Sequence, residues 1–578
     1  GVVIGTQHCD MLPRSNEHEF RPWAERRGEH VEYDYSIPGR NRELLNEYWR
    51  GSVQQNRSYE VTWTVGMRGV HDSGFVTSAI DDNPDLNDAE KLAARVQLLE
   101  KVIHDQRELL ADELGTAPTQ IPQLFIPYKE VLPLYDAGLQ VPDDVTVVWA
   151  NDSFGYIRRL PDEAERTRRG GHGLYYHSSY WSNFTTSYLA TSSTPLTLMK
   201  SELRRAWDGG IRQLWVDNIG GLKPLEIEME FFLRSAWEAG KESTTADIPT
   251  FTSQWLNAKF TGDIGDRAGE IYARYYQLNN QRKIEHLTSD VFAQTGYGDE
   301  ASRRLGALRQ LHEETNGILA SLPGDERDAF FELFAVKIQL AYLTNAEFYY
   351  ADRSTLAQRQ GKASAADRYV AVSRAFGRSI RALIHHYNRQ VAGGRWDGMF
   401  TPHEFPPPVM PMYPAATPAL VIGDPGLGVV VWGAQAPEHN PELTFWTSGI
   451  TTKWIEIFNT GSGSVPFHID ADPWIRVAPH PGSVDTEVRI AITADPSTAA
   501  NRTGTIRVTA AETGQTVEIT VRTIDTKHPS AGPRDLIEAD GYVSIDPAAG
   551  GRITPGATCQ RLPVPPPGRY GDTAMRVP

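Results

Sequence analysis

The sequence predicts a multidomain chain of the α/β + α + β class: part of a (β/α)8 (TIM-type) barrel, a helical bundle and a C-terminal β-sandwich-like domain. Up to about residue 245, short apolar runs alternate with helical periodicity, the mark of parallel strands joined by crossover helices. From about 250 to 393, apolar residues recur at spacings of three and four, the period of packed helices. Beyond a Pro-rich passage, short strands alternate with Gly, Asn, Asp and Pro, as in a sandwich.

The strands expected in the first region are Val2 to Thr6, Glu60 to Val65, Leu124 to Ile126, Val145 to Trp149, Leu174 to Tyr176 and Leu214 to Val216. Amphipathic stretches from Asp88 to Leu114 and from Leu225 to Ala239 supply crossovers. A closed barrel has eight strands, so residues 1–245 are expected to hold its last six. An open doubly wound sheet is the alternative, weakened because no Gly-rich phosphate loop follows the first strand. The chain opens Gly-Val-Val-Ile-Gly inside a strand pattern and is therefore expected to be an internal piece of a longer protein. With two sheet edges unpaired, this piece alone is expected to have weak activity or none.

Helices are expected over Ala268 to Leu278, Ala301 to Leu322, Asp328 to Tyr350 and Ala365 to Tyr387, making a bundle at 246–400. A linker at 401–420, including Pro406-Pro407-Pro408, cannot continue a helix. The sandwich-like region spans 421–530, with strands such as Trp454 to Asn459, Glu487 to Ile492, Gly504 to Ala510 and Thr516 to Thr523, and 531–578 is a C-terminal extension.

The formal net charge of −16 argues against nucleic acid, whose nonspecific binding needs a cationic surface. No run approaches the roughly 20 apolar residues that span a bilayer. Cys9 and Cys559, the only cysteines, exclude a disulfide framework and a Cys-based zinc site. No cofactor is expected.

Chemistry in parallel α/β folds gathers at the carboxyl ends of strands. The runs end on Gln7-His8-Cys9-Asp10-Met11, Thr64-Val65-Gly66-Met67-Arg68-Gly69 with His71 and Asp72, Pro127-Tyr128-Lys129-Glu130-Val131, Trp149-Ala150-Asn151-Asp152-Ser153-Phe154-Gly155-Tyr156, Tyr175-Tyr176-His177-Ser178-Ser179-Tyr180 and Asn218-Ile219-Gly220-Gly221-Leu222-Lys223-Pro224-Leu225-Glu226. In this order the blocks resemble those of glycoside hydrolase family 115, inverting xylan α-1,2-glucuronidases. The resemblance covers roughly residues 1–550. It implies an N-terminal domain and barrel start preceding the segment, xylan or glucuronoxylan oligosaccharides as substrates, and a homodimer. Three positions depart from the family's usual wording: Asp10 replaces Glu, the fourth block reads Asn151-Asp152-Ser153 where two acidic residues and an asparagine are usual, and Gly221 replaces Asp. Nearby Asp217 could compensate, if its place on the strand lets it face the site.

Glycoside hydrolysis needs one carboxylic acid to protonate the leaving oxygen and a second carboxylate to activate water or attack the sugar. Asp152 and Glu226 are the first choices and Asp72 the next, while Glu130 is assigned to substrate binding. Each has a structural alternative: a turn or an arginine pair for Asp72, a turn cap for Asp152, and a helix N-terminus for Glu226 and Glu130. A uronate would be met by Arg68, Lys129 or Lys223, and sugar rings by Tyr128, Tyr180 and Trp181. His8, Asp10, Asn151, His177 and Asn218 complete the expected sugar contacts. His8, Cys9 and Asp10 are adjacent potential ligands, but neighbours on an extended chain diverge, so no metal site is expected.

Overall fold

The computed structural model describes residues 3–179, 191–220, 222–241, 247–296, 298–400, 423–447, 449–495 and 501–525, with only the backbone of 181–183, 186–187, 560–563 and 573–576. The chain divides into two compact units, one formed by 1–180 with 194–251 and the other by 181–193 with 252–578. The expected linker at 401–420 and most of the expected extension at 531–578 lie outside the described residues.

The first unit is built on β1 (Ile4–Gly5), β2 (Val61–Thr64), β3 (Gln123–Phe125), β4 (Thr146–Ala150), β5 (His172–His177) and β6 (Leu214–Asn218). All six pair in parallel and in chain order. Chain order decides between the two expected folds, because a doubly wound sheet reverses direction part-way while barrel strands follow one another. The sheet is a curled half-barrel whose edges are β1 and β6. Alternation along the strands puts Leu124, Ile126, Tyr128, Val148 and Tyr175 on one face, with Leu214 and Val216 packed against them. Trp149, Tyr176 and Trp215 take the other face, where Tyr135 and Phe232 of the flanking helices meet them.

Helices α1 (Arg40–Asn56), α2 (Asp88–Leu114), α3 (Val131–Asp136) and α4 (Leu196–Asp208) link successive strands, and α5 (Glu226–Trp237) follows β6. Among the described residues no α-helix joins β4 to β5, only a short 3-10 turn at Glu165–Thr167. α2 starts where the sequence expects it, because Asn87 and Glu90 form a capping box, and it ends at the left-handed Gly115. Its buried Gln106 accepts the Gly66 N–H at 2.8 Å and donates to the Gly66 carbonyl at 2.9 Å. Gly66 has φ of 114°, and a Cβ there would press on the Phe125 ring at 3.2 Å. Glycine and Gln106 together fix the turn by which the chain leaves β2.

In the second unit, α6 (Gly265–Gln281), α7 (Glu300–Ser321), α8 (Gly324–Phe330), α9 (Val336–Arg359) and α10 (Ala363–Arg389) form the helical layer. The expected single helix from Asp328 is interrupted by a π-helical turn at Phe331–Ala335, every residue of which is buried. A five-stranded sheet and a four-stranded sheet enclose a common core that includes Leu443, Phe445, Ile455, Ile457, Ile506 and Ile519. Its strands include Thr452–Asn459, Glu487–Thr493, Thr503–Ala510 and Thr516–Ile524. Helices and sheets meet at a buried ionic cluster. Lys362 and Arg353 pair with Glu456 and Glu487, while Arg489 bridges Glu456 at 2.8 Å to Asp299 at 2.7 Å. No helix among the described residues is long and apolar enough to cross a membrane.

Candidate functional site

The Gly66 turn delivers Arg68 into the strand-end mouth, where only 2% of it is exposed. Its Nε and Nη2 donate to the two Glu130 oxygens, each at 2.7 Å, and its Nη1 donates to Asp72 Oδ1. One guanidinium thus holds a carboxylate on each edge. Glu130 stands at the N-cap of α3 but makes no capping bond, its side chain being turned to Arg68 instead. Asp72 also accepts from His8 Nε2 at 3.1 Å, from Lys129 Nζ at 2.9 Å and from the Cys9 thiol at 3.4 Å. Both Asp72 (φ 56°) and Lys129 (φ 47°) stand in the left-handed region. Non-glycine residues there cost about 1–3 kcal/mol each and persist where surrounding contacts hold them. Here the contacts are the ion pairs themselves.

A group of rings lies beside the carboxylates. Tyr128 packs on His8 at 4.1 Å and stacks with His177 at 5.8 Å, while Tyr175 meets His8 at 5.6 Å and His177 at 5.0 Å. Asn151 fixes His177 by accepting its backbone N–H at 2.8 Å and its Nδ1 at 2.7 Å. Asn218 donates to the Tyr175 hydroxyl at 2.9 Å. Six of the expected binding residues, His8, Arg68, Tyr128, Lys129, Glu130 and His177, therefore converge with Asp72, and Asn151 and Asn218 support them.

The other expected residues have different surroundings. Asp152 organises its own turn, its Oδ1 accepting from the N–H groups of Phe154 at 2.9 Å and Tyr156 at 3.0 Å while Arg158 occupies Oδ2. Glu226 opens α5 and is paired with Lys223. Asp10 closes the loop after β1 by accepting from Gln7 Nε2 and the Asn16 N–H, both at 3.1 Å. Tyr180, Gly221 and the side chain of Trp181 lie outside the described residues. Asp217 does not take the place of the aspartate missing at 221. It shares the helix-facing side of β6 with Trp215, accepts from Ser178 Oγ at 2.6 Å, and burial pushes its carboxyl up to about 7.

Sequence reading missed Asn16. Its buried amide donates to the carbonyls of Cys9 and Gly69, both at 3.0 Å, tying the loops after β1 and β2 together. Its place in a loop far from any strand end carries no local signal. The sequence offers His8, Cys9 and Asp10 as adjacent donors, yet the donors that converge are His8, Cys9 and Asp72, all within 4.8 Å of one another. Burial holds the Cys9 thiol up to about 11, and Arg68 and Lys129 already neutralise Asp72. A dication there would meet two fixed cations, so the set suits an ion pair better than a metal.

The profile of glycosyl hydrolase family 115 matches residues 1–286. A solved structure described as a novel family GH115 4-O-methyl-α-glucuronidase, BtGH115A, with specificity for decorated arabinogalactans resembles the chain with a TM-score of 0.58 and 26% identity, covering 86% of this chain and 69% of that one. Residues 1–286 belong to glycosyl hydrolase family 115. A comparison with curated protein sequences finds no significant match. The match supports glycoside hydrolase chemistry for residues 1–286, and among the described residues the Arg68 cluster brings two carboxylates together on the strand-end face.

The buried histidines of this family 115 site make its stability depend on pH. His8 is driven down to about 3 by burial and by Arg68 and Lys129, and burial takes His177 well below its ordinary value of 6.5. Below pH 6.5 the unfolded chain takes up protons that the folded site refuses. The stability contributed by neutral histidine is full above pH 6.5 and is lost as pH falls toward 3 for His8. Each histidine costs up to about 1.4 kcal/mol per pH unit in that window. The measurement is the urea midpoint at pH 7.5 and 4.5 for wild type and the His8→Asn, His177→Asn variant. The variant is expected to lose less on acidification, and equal losses would remove the histidines from the account.

Proposed function

We propose that the chain is an inverting xylan α-1,2-glucuronidase that removes glucuronic or 4-O-methylglucuronic acid side chains, with Asp72 and Glu130 as its carboxylate pair. The observation that carries this reading is the buried Arg68 guanidinium with a carboxylate on each edge at the mouth of a family 115 sheet. Inversion requires the two carboxyls to stand roughly 6.5–9.5 Å apart so that water fits between them, against about 5 Å in a retaining pair. An interposed guanidinium favours the wider spacing. Asp72, with Arg68, Lys129 and His8 donating to it, suits the base that activates water.

Glu130 is then the acid that protonates the leaving oxygen. Both of its oxygens accept from the Arg68 fork, which aims the carboxyl into the mouth. Lys129, half-exposed above Asp72, is placed to receive the uronate carboxylate. His8, Tyr128, Tyr175 and His177 give the sugar flat apolar faces. Lys223 completes the binding set on the strength of the place the sequence gives it after a strand.

The test is time-resolved proton NMR of full-length protein with glucuronoxylan. The β-anomer of free uronic acid is expected first, and the α-anomer appearing first would overturn inversion. Because the solved relative is described as specific for decorated arabinogalactans, that polymer is the second substrate, and release from it alone would move the substrate class. Binding of xylan oligosaccharides without release from either polymer would leave a noncatalytic carbohydrate-binding relative.

A further inference from the structure

The turn that occupies Asp152 also exposes two aromatic side chains on the face that carries the site. Phe154 is 45% exposed and Tyr156 is 41% exposed. The turn is built to hold them there. Asp152 N–H donates to the Tyr156 carbonyl at 2.9 Å, Gly155 N–H donates to the Asp152 carbonyl at 3.0 Å, and the Tyr176 hydroxyl donates to the Gly155 carbonyl at 3.0 Å. Gly155 has φ of 95°, and a Cβ would collide with Thr194 at 2.9 Å. The Ile157 N–H is held by the buried Glu202 carboxylate at 2.7 Å. Arg158 lies over the Tyr156 ring at 5.5 Å, backing it and bringing N–H donors alongside.

Position ties this loop to the catalytic face. It begins at the residue after Asn151, whose side chain fixes His177, and the His177 ring stacks with Tyr128 beside the carboxylate pair. Aromatic faces on a hydrogen-bonded turn, one of them flanked by a guanidinium, suit the stacking of a neutral pyranose and donation to its hydroxyls. The net charge of −16 disfavours a polyanionic occupant.

We propose that Phe154 and Tyr156, backed by Arg158, form a platform for a sugar unit of the neutral polysaccharide main chain from which the uronic acid is removed. The platform rests on the glucuronidase reading for the identity of its polymer, and it gives Asp152 the role of a positioning residue that aims both rings.

The experiment compares full-length wild type with Phe154→Ala, Tyr156→Ala and the double variant on glucuronoxylan and on 4-nitrophenyl α-glucuronide, which carries no main chain. Xylohexaose binding is measured in parallel by calorimetry. The ratio of kcat/KM on polymer to that on the aryl glycoside is expected to fall about three- to tenfold per ring, mainly through KM, and xylohexaose affinity to fall with it. Tyr156→Phe, which keeps the stacking face, is expected to retain most of both. An unchanged ratio in an active enzyme overturns the platform and leaves the glucuronidase reading standing. If wild type turns over neither substrate, the glucuronidase reading fails. Xylohexaose binding then decides the platform, with loss in the double variant supporting it and equal affinity overturning it.

Discussion

Asp72→Asn and Glu130→Gln are each expected to cut uronic acid release by the full-length protein by about 10²–10⁴-fold, the usual worth of a general acid or base. Both substitutions keep the shape of the side chain. Asparagine also tolerates the left-handed backbone at 72, so loss of fold is not the expected cause. Asp152→Asn and Glu226→Gln are expected to cost less than about tenfold, or less than about 1.4 kcal/mol of barrier. The asparagine keeps an acceptor for the N–H groups of Phe154 and Tyr156, and the glutamine keeps one for Lys223. The measurement is initial rate on glucuronoxylan, with circular dichroism to verify the fold. If Asp152 or Glu226 proves as sensitive as Asp72, the chemistry does not lie at Arg68.

Glu456→Ala is expected to destabilise the second unit by about 3–5 kcal/mol, the cost of removing one partner from a buried ion pair. Glu456 stands among Arg353, Lys362 and Arg489, which together hold its carboxyl far below the usual carboxylate range. The Lys362 side chain has no exposure at all, so the ammonium cannot turn to water when its partner goes. Among the described residues, Glu487 would remain as the only acidic side chain bridging both Lys362 and Arg353. Trp432 and Trp454 pack at 3.9 Å, and Trp454 lies under Arg489, so their fluorescence reports this region during denaturation. A midpoint shift worth less than about 1 kcal/mol would mean that water or relaxation compensates the exposed charge.

Much of the fold is legible in the sequence because its signals are local. Each strand is a short apolar run bounded by polar residues, and all six lie within a few residues of their expected places. The limits of α2 follow from Asn87, Glu90 and Gly115, which mark a helix by hydrogen bonding and by backbone handedness. The π-helical turn at 331–335 carries no such mark, since its residues continue a helical pattern. The site is legible as a face but not as a pairing. Every carboxylate after a strand looks alike in sequence, and what distinguishes them is the partner across the mouth. Arg68 and Asp72 at a spacing of four hint at a pair, but the other edge of the guanidinium is taken by Glu130, 62 positions away. Conversely, Asp152 two residues before Phe154 is a recognisable turn former, and there the structural alternative describes the bonds that form.

The sheet of the first unit has a consequence for synthesis. Its strands lie side by side in the order in which they leave the ribosome. Each new strand finds its template already made, one crossover behind it, and the growing edge moves with translation. Pairing never has to wait for a distant segment, which keeps loop closure short at each step. The same arrangement keeps the growing hydrogen-bonding edge open throughout elongation, so the nascent chain is most vulnerable to wrong partners between one strand and the next.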